Sequence, residues 1–232
     1  MGNTVTRFPN GVTNVGEASP RADLRMPDPT LYHTYFNDFD QFVAADWTVT
    51  ETQAGATQAL TSGDGGWLAL VNSAANNDLN AIQLNPASFS FTSGKKAFFR
   101  ARLKVDSASL AAFVVGLQVV DTTPLDVTDG VYFLKAAGAA TIDAIVRKNA
   151  TTGSNSASAI ASVADDTFVT LGMYYDGDSK VYYSVNETVL GSLSATSAYL
   201  PDTITTVSVA VANGSAVART LTLDYVFAAF ER

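Results

Sequence analysis

From Leu31 to the C-terminus, apolar and polar side chains alternate at period two, and this alternation commits the chain to strands. Between Lys96 and Asp106 the side chains of Phe99, Ala101, Leu103 and Val105 share one face, while Phe98, Arg100, Arg102 and Lys104 share the other. The second face is expected to be solvated or to meet an acidic partner. Val169, Leu171, Met173 and Tyr175 alternate again, Asp176-Gly177-Asp178 supplies a turn, and Val181, Tyr183 and Val185 resume the apolar face, which predicts a hairpin. Val207, Val209 and Val211, then Leu221, Leu223, Tyr225 and Phe227, read as two further half-buried strands. With Gly, Asn, Asp and Ser clusters at short intervals, about a dozen short strands are expected to close into an all-β, antiparallel sandwich. The nearest thing to a helical segment, Asn155 to Ala164, is rich in Ser and Ala and carries no amphipathic stripe.

A chain of 232 residues buries one sizeable core, so the sandwich is expected to span 31–232 as a single domain. Residues 1–30 differ in kind. Pro9, Pro20, Pro27 and Pro29 fall there, and no periodicity persists, so this stretch reads as an extended arm. Its Arg7, Arg21 and Arg25 balance Glu17, Asp23 and Asp28; the net charge of −8 lies in residues 31–232. Arg7, Phe8, Arg21, Leu24 and Arg25 are the arm's candidate contacts to a partner, the arginines pairing with carboxylates and Phe8 and Leu24 acting as apolar anchors.

That negative charge, with no clustered Lys/Arg surface, argues against nucleic acid as a partner. The most apolar run, Leu110 to Val120, is too short to cross a bilayer as a helix, so no membrane partner is expected. Without Cys, the core is held by packing alone.

Little chemistry is advertised. The single His33 sits in Tyr32-His33-Thr34-Tyr35 with no Gly-x-Ser-x-Gly elbow, and reads as a packing histidine. Paired carboxylates, as glycoside hydrolysis needs, are the serious enzymatic alternative. Asp38 with Asp40, and Asp176 with Asp178, have strand-face spacing, the latter in a predicted turn; Glu17, Glu51, Glu187 and Glu231 form no such pair. Asn37, Asp38 and Asp40, or Asn76, Asn77 and Asp78, could ligate calcium, but loop capping explains both sets. The expectation is therefore a chain that is not an enzyme and holds no metal or cofactor. Trp67, Tyr174 and Tyr182 are candidate carbohydrate-binding rings, with Tyr199 also available, whereas Trp47 follows Phe36, Phe39 and Phe42 and is expected in the core.

Two segments resemble a known architecture. Phe36-Asn37-Asp38-Phe39-Asp40 followed by Trp47-Thr48-Val49, and Thr167 to Leu171 through Tyr175-Asp176-Gly177 to Val181-Tyr182-Tyr183-Ser184-Val185-Asn186, are similar to the concanavalin A-like, laminin G-like jelly roll. Phe168 stands where that fold often has Trp, and Glu187 replaces a glycine. The carbohydrate-active members' Glu-x-Asp-x-x-Glu run is absent. The arm, from Asn3 to Thr13, joined to Tyr35 through Asp40, resembles virion proteins of tailed bacteriophages. That resemblance implies a capsid decoration (cement) protein on the virion exterior, bound to the major capsid protein and to itself as a dimer or trimer. The alternative implied by the fold is a carbohydrate-binding jelly roll of a tail fibre or spike.

Overall fold

The computed structural model describes residues 30–151 and 155–232. Arg7, Phe8, Arg21, Leu24 and Arg25, with the rest of residues 1–29, lie outside the described residues. In chain order the strands are β1 (Tyr32–Asn37), β2 (Trp47–Glu51), β3 (Thr57–Thr61), β4 (Trp67–Val71), β5 (Leu79–Leu84), β6 (Ala97–Val105), β7 (Ala111–Gln118), β8 (Gly130–Lys135), β9 (Thr141–Arg147), β10 (Ser156–Ser162), β11 (Val169–Tyr175), β12 (Lys180–Val185), β13 (Thr188–Ser194), β14 (Thr206–Asn213) and β15 (Thr220–Glu231).

They form two antiparallel sheets packed as a sandwich. One runs β10-β9-β8-β7-β14-β5-β2, and the other β13-β12-β11-β6-β15-β4-β3, with β1 also paired to β15. The alternation decides which side chains meet between them. Phe113, Val115 and Leu117 of β7 and Val207, Val209 and Val211 of β14 face Phe99, Ala101 and Leu103 of β6 and Leu221, Leu223 and Val226 of β15, all buried. Leu171 to Tyr175 pairs with Val181 to Val185, the expected hairpin. Asp176 Oδ1 accepts the N–H groups of Asp178, Ser179 and Lys180 at 2.9 to 3.1 Å, so that carboxylate builds the turn. Those bonds hold the Asp176 carboxyl below its ordinary pKa against the opposing effect of burial.

Three details depart from the sequence reading. The Ser/Ala-rich segment from Asn155 forms β10, an edge strand paired with β9, because sheet pairing overrides weak local preference. Phe36 points outward and is 60% exposed, unlike Phe39, which is fully buried. The basic face of β6, expected to be solvated or to meet an acidic partner, meets carboxylates of the same chain: Arg100 pairs with Glu187 at 2.7 Å, Arg102 with Asp224 at 2.5 Å and Lys104 with Asp166 at 3.8 Å.

The two outer faces differ. On the outward side of the β7/β14 sheet, residues 119–129 fold across Gln83, Gln118 and Arg147. Gln83 donates to the Val119 carbonyl and accepts from the Asp121 N–H, Gln118 donates to the Pro124 carbonyl, and Arg147 reaches Asp126 at 2.6 Å. The other sheet presents its rings and charges to solvent.

One buried cation belongs to the frame. Lys135 ends β8 opposite Phe113, is fully buried, and donates to the Ala111 carbonyl. Burial lowers its pKa to about 8, against the opposing field of Asp165.

Candidate functional site

On the outward face of the larger sheet, registered strands bring rings together that lie far apart in sequence. Tyr182 on β12 pairs with Tyr174 on β11, and Tyr174 pairs with Phe98 on β6. Phe98 lies diagonally beside Phe227 on β15, which pairs with Phe36 on β1. Ring centroids are 6.1 Å apart for Tyr174 and Tyr182, 5.8 Å for Phe98 and Phe227, and 6.4 Å for Phe36 with both Phe227 and Tyr225. The result is a diagonal band of half-buried and exposed rings across five adjacent strands.

The band ends at a seam in the sheet. β15 is long enough to hold two partners along one edge: β4 pairs with Thr220–Leu223, and β1 with Val226–Glu231. Between them the register on β6 shifts, and this bulge turns Asp224 to the same face as Tyr225. Asp224 accepts the Trp67 indole N–H at 2.9 Å and the Arg102 guanidinium at 2.5 Å. Phe168 lies under Arg102, its centroid 4.1 Å from the guanidinium carbon, and 5.1 Å from the Trp67 ring.

Two loops press carboxylates into the seam. Burial, then the charges of Asp224, Asp40 and Asp64, hold the Asp38 carboxyl above its ordinary pKa. The approach depends on glycines. A Cβ on Gly63 would fall 2.1 Å from the Trp67 ring, and Gly66, at φ +101°, lies so close to the chain that a Cβ would meet the Phe39 carbonyl at 2.2 Å. Bulge, glycine loop and carboxylates together set Asp38 beside the Arg102-paired Asp224.

The sequence-derived candidates divide clearly. Trp67, Tyr174 and Tyr182 do share this face. Trp47 is in the core, 6% exposed, against Tyr35 and Phe42, as expected. Tyr199 packs against the core from the segment before β14. His33 bonds Ser88 at 3.2 Å and packs on Phe89, a structural position. Asp78, one of the weighed calcium ligands, instead accepts from Thr52 and the Ser73 N–H. Among the described residues no group of three His, Cys, Asp or Glu is placed to hold a metal ion, and no helix is long and apolar enough to cross a membrane. Sequence reading missed Asp224 and the outward turn of Phe36; it placed Phe98 on the outer face without assigning it to a site, and read Tyr225 and Phe227 in one alternation with Leu221 and Leu223, which the bulge interrupts.

No family model matches the chain, and no curated protein matches it by sequence. Solved structures do. An endo-1,3-β-glucanase from Streptomyces sioyaensis superposes with a TM-score of 0.62 at 15% identity, covering 89% of this chain and 99% of its own. SCLam, a non-specific endo-β-1,3(4)-glucanase of family GH16, gives 0.63 at 11% identity over 89% and 94%. The carbohydrate recognition domain of Emp46p gives 0.55 at 11% identity over 83% and 94%. These likenesses correct one expectation. A lone histidine and the missing Glu-x-Asp-x-x-Glu run suggested a chain that is not an enzyme, but the fold is one that carries endo-glucanases, so neither feature excludes catalysis. The chain has the concanavalin-like, GH16-like jelly-roll fold.

Proposed function

We propose that this chain binds carbohydrate on the outward face of its larger sheet. The observation that carries the reading is the band Tyr182, Tyr174, Phe98, Phe227 and Phe36, open to solvent and backed by a rigid sheet. Sugar rings present apolar faces that stack on aromatic ones, and rings fixed on strands lose little entropy when a ligand arrives. The related architecture of a carbohydrate recognition domain and of two glucanases supports the same class of ligand. Affinity electrophoresis in gels containing soluble polysaccharides tests it: migration should be retarded for the native chain and restored by Tyr182→Ala.

A second reading, glycan cleavage at the seam, is favoured by the carboxylates. Glycoside hydrolysis needs one carboxyl that holds its proton and a second that does not. Asp38, raised by burial and by neighbouring carboxylates, suits the acid; Asp224, paired with Arg102, suits the second role. Release of reducing ends from β-glucans, lost in both Asp38→Asn and Asp224→Asn, would support this reading. Unchanged release in both would remove it.

The role on a capsid expected from residues 3–13 and 35–40 gains no support from the structural likenesses. It survives as a separate proposal about the arm. Removing residues 1–30 and measuring occupancy on capsids tests it, normal occupancy counting against the arm as the attachment.

A further inference from the structure

We infer a second binding site, for a single uncharged pyranose, in a cavity beside the β11–β12 turn that none of the five rings of the band lines. The cavity has a volume of about 230 Å³ and opens between the β11–β12 turn, the segment that joins β13 to β14, and the residues that precede β6. Phe91 and Leu200 form apolar walls, both buried. Phe91 meets Tyr175 edge to face, with centroids 6.0 Å apart, making an aromatic corner.

Tyr175, Asp178, Lys148, Asp202 and Ser93 are among the polar residues that line the same cavity. Tyr175 is 2% exposed, and its hydroxyl has only a 3.5 Å contact with the Asp178 carbonyl. Burial, then the charges of Asp176 and Asp178, push the Tyr175 pKa up, so the hydroxyl keeps its proton and can donate. The Asp178 carboxylate has no hydrogen-bond partner among the described residues and can accept. Lys148 spends two of its three protons on the Ser197 carbonyl at 3.1 Å and on Asp202 at 2.6 Å, leaving one to donate. Ser93 adds an exposed hydroxyl at the mouth.

Charge and size then select the ligand. An anion would meet the unpaired Asp178 and an Asp202 already paired with Lys148, so anionic ligands are disfavoured. A neutral polyhydroxyl molecule satisfies the donors and acceptors together, with its apolar ring face on Phe91 and Leu200. The volume holds one sugar ring rather than a chain, and falls just below the usual range for drug-sized ligands of roughly 300 to 1,000 Å³.

Titration calorimetry with glucose, galactose and mannose, and with glucuronate and glucosamine as charged counterparts, tests the assignment on the full chain. The expected result is saturable binding of at least one neutral hexose, weakened at least tenfold by Asp178→Asn and by Ser93→Leu. Ser93→Leu narrows the mouth from an exposed position, so it keeps the test valid if Asp178→Asn disturbs the turn. Tyr182→Ala, outside the cavity lining, should leave hexose binding unchanged, which separates this site from the band. No saturation with any neutral hexose, equal binding of glucuronate, or binding indifferent to both substitutions would overturn the assignment.

Discussion

Replacing Lys135 by Met should stabilise the protein at neutral pH, and the gain should disappear as the pH rises. Lys135 is fully buried with a single carbonyl acceptor, and its pKa falls from 10.5 to about 8 on folding. A lysine whose folded pKa is depressed disfavours folding wherever it is charged in both states, that is, below about pH 8. Between about 8 and 10.5 the unfolded chain holds one more proton than the folded chain, so this group's contribution to stability rises with pH. The shift corresponds to about 3 kcal/mol. Met fills similar volume without charge, and loss of the bond to Ala111 offsets about 1 kcal/mol of the gain. The variant should therefore be about 2 kcal/mol more stable at pH 6.5, or several degrees in Tm, with the difference shrinking toward zero or reversing by pH 10.5. Urea melts of both proteins at pH 6.5, 8, 9.5 and 10.5 measure this. Taking the difference cancels the tyrosines Tyr35, Tyr132 and Tyr175, whose pKa values are raised mainly by burial. A difference that stays constant across that range would refute the buried-charge account.

Other substitutions read different parts of the molecule. Trp47→Ala should cost about 3 to 5 kcal/mol in chemical denaturation, because the indole is enclosed by Tyr35 and Phe42 and leaves a cavity. Gly63→Ala should displace the Trp67 ring and break its bond to Asp224, seen as altered tryptophan fluorescence and a loss of about 1 to 3 kcal/mol. Asp38→Asn should raise Tm at pH 7 and leave it unchanged at pH 3. A carboxyl with a raised folded pKa opposes folding fully above that folded value, progressively less down to the unfolded value of 3.8, and not at all below it, as at pH 3.

How much of this was legible depends on where the signals lie. The inward face of β6 and the β11–β12 hairpin could be read directly, because each places apolar residues at every second position beside a turn that only Asp and Gly favour. Phe36 could not. In Tyr35-Phe36-Asn37-Asp38-Phe39 both faces carry rings, and only the pairing with Phe227 shows which is outward. Asp224 gave no local signal, since it interrupts the Leu221 to Phe227 alternation through a bulge. Its partners Trp67 and Arg102 lie 157 and 122 residues away. β10 was obscured for a different reason: Ser and Ala have weak preferences, and its strand form comes from β9 beside it. Lys135 was visible as a charge closing the run Val131-Tyr132-Phe133-Leu134, but its burial depends on the opposite sheet.

The most direct test of carbohydrate binding on the outward face uses the rings themselves. Phe36 and Tyr182 stand at opposite ends of the band, with Phe36 60% exposed and Tyr182 half-buried, so Phe36→Ala with Tyr182→Ala removes stacking surface while the core stays intact. Affinity electrophoresis of the native and doubly substituted chains against soluble β-glucan should show retardation of the first and at least a tenfold weaker interaction for the second, with circular dichroism and Tm nearly unchanged. Equal retardation of both folded proteins, or none for the native chain with any polysaccharide, would contradict the account.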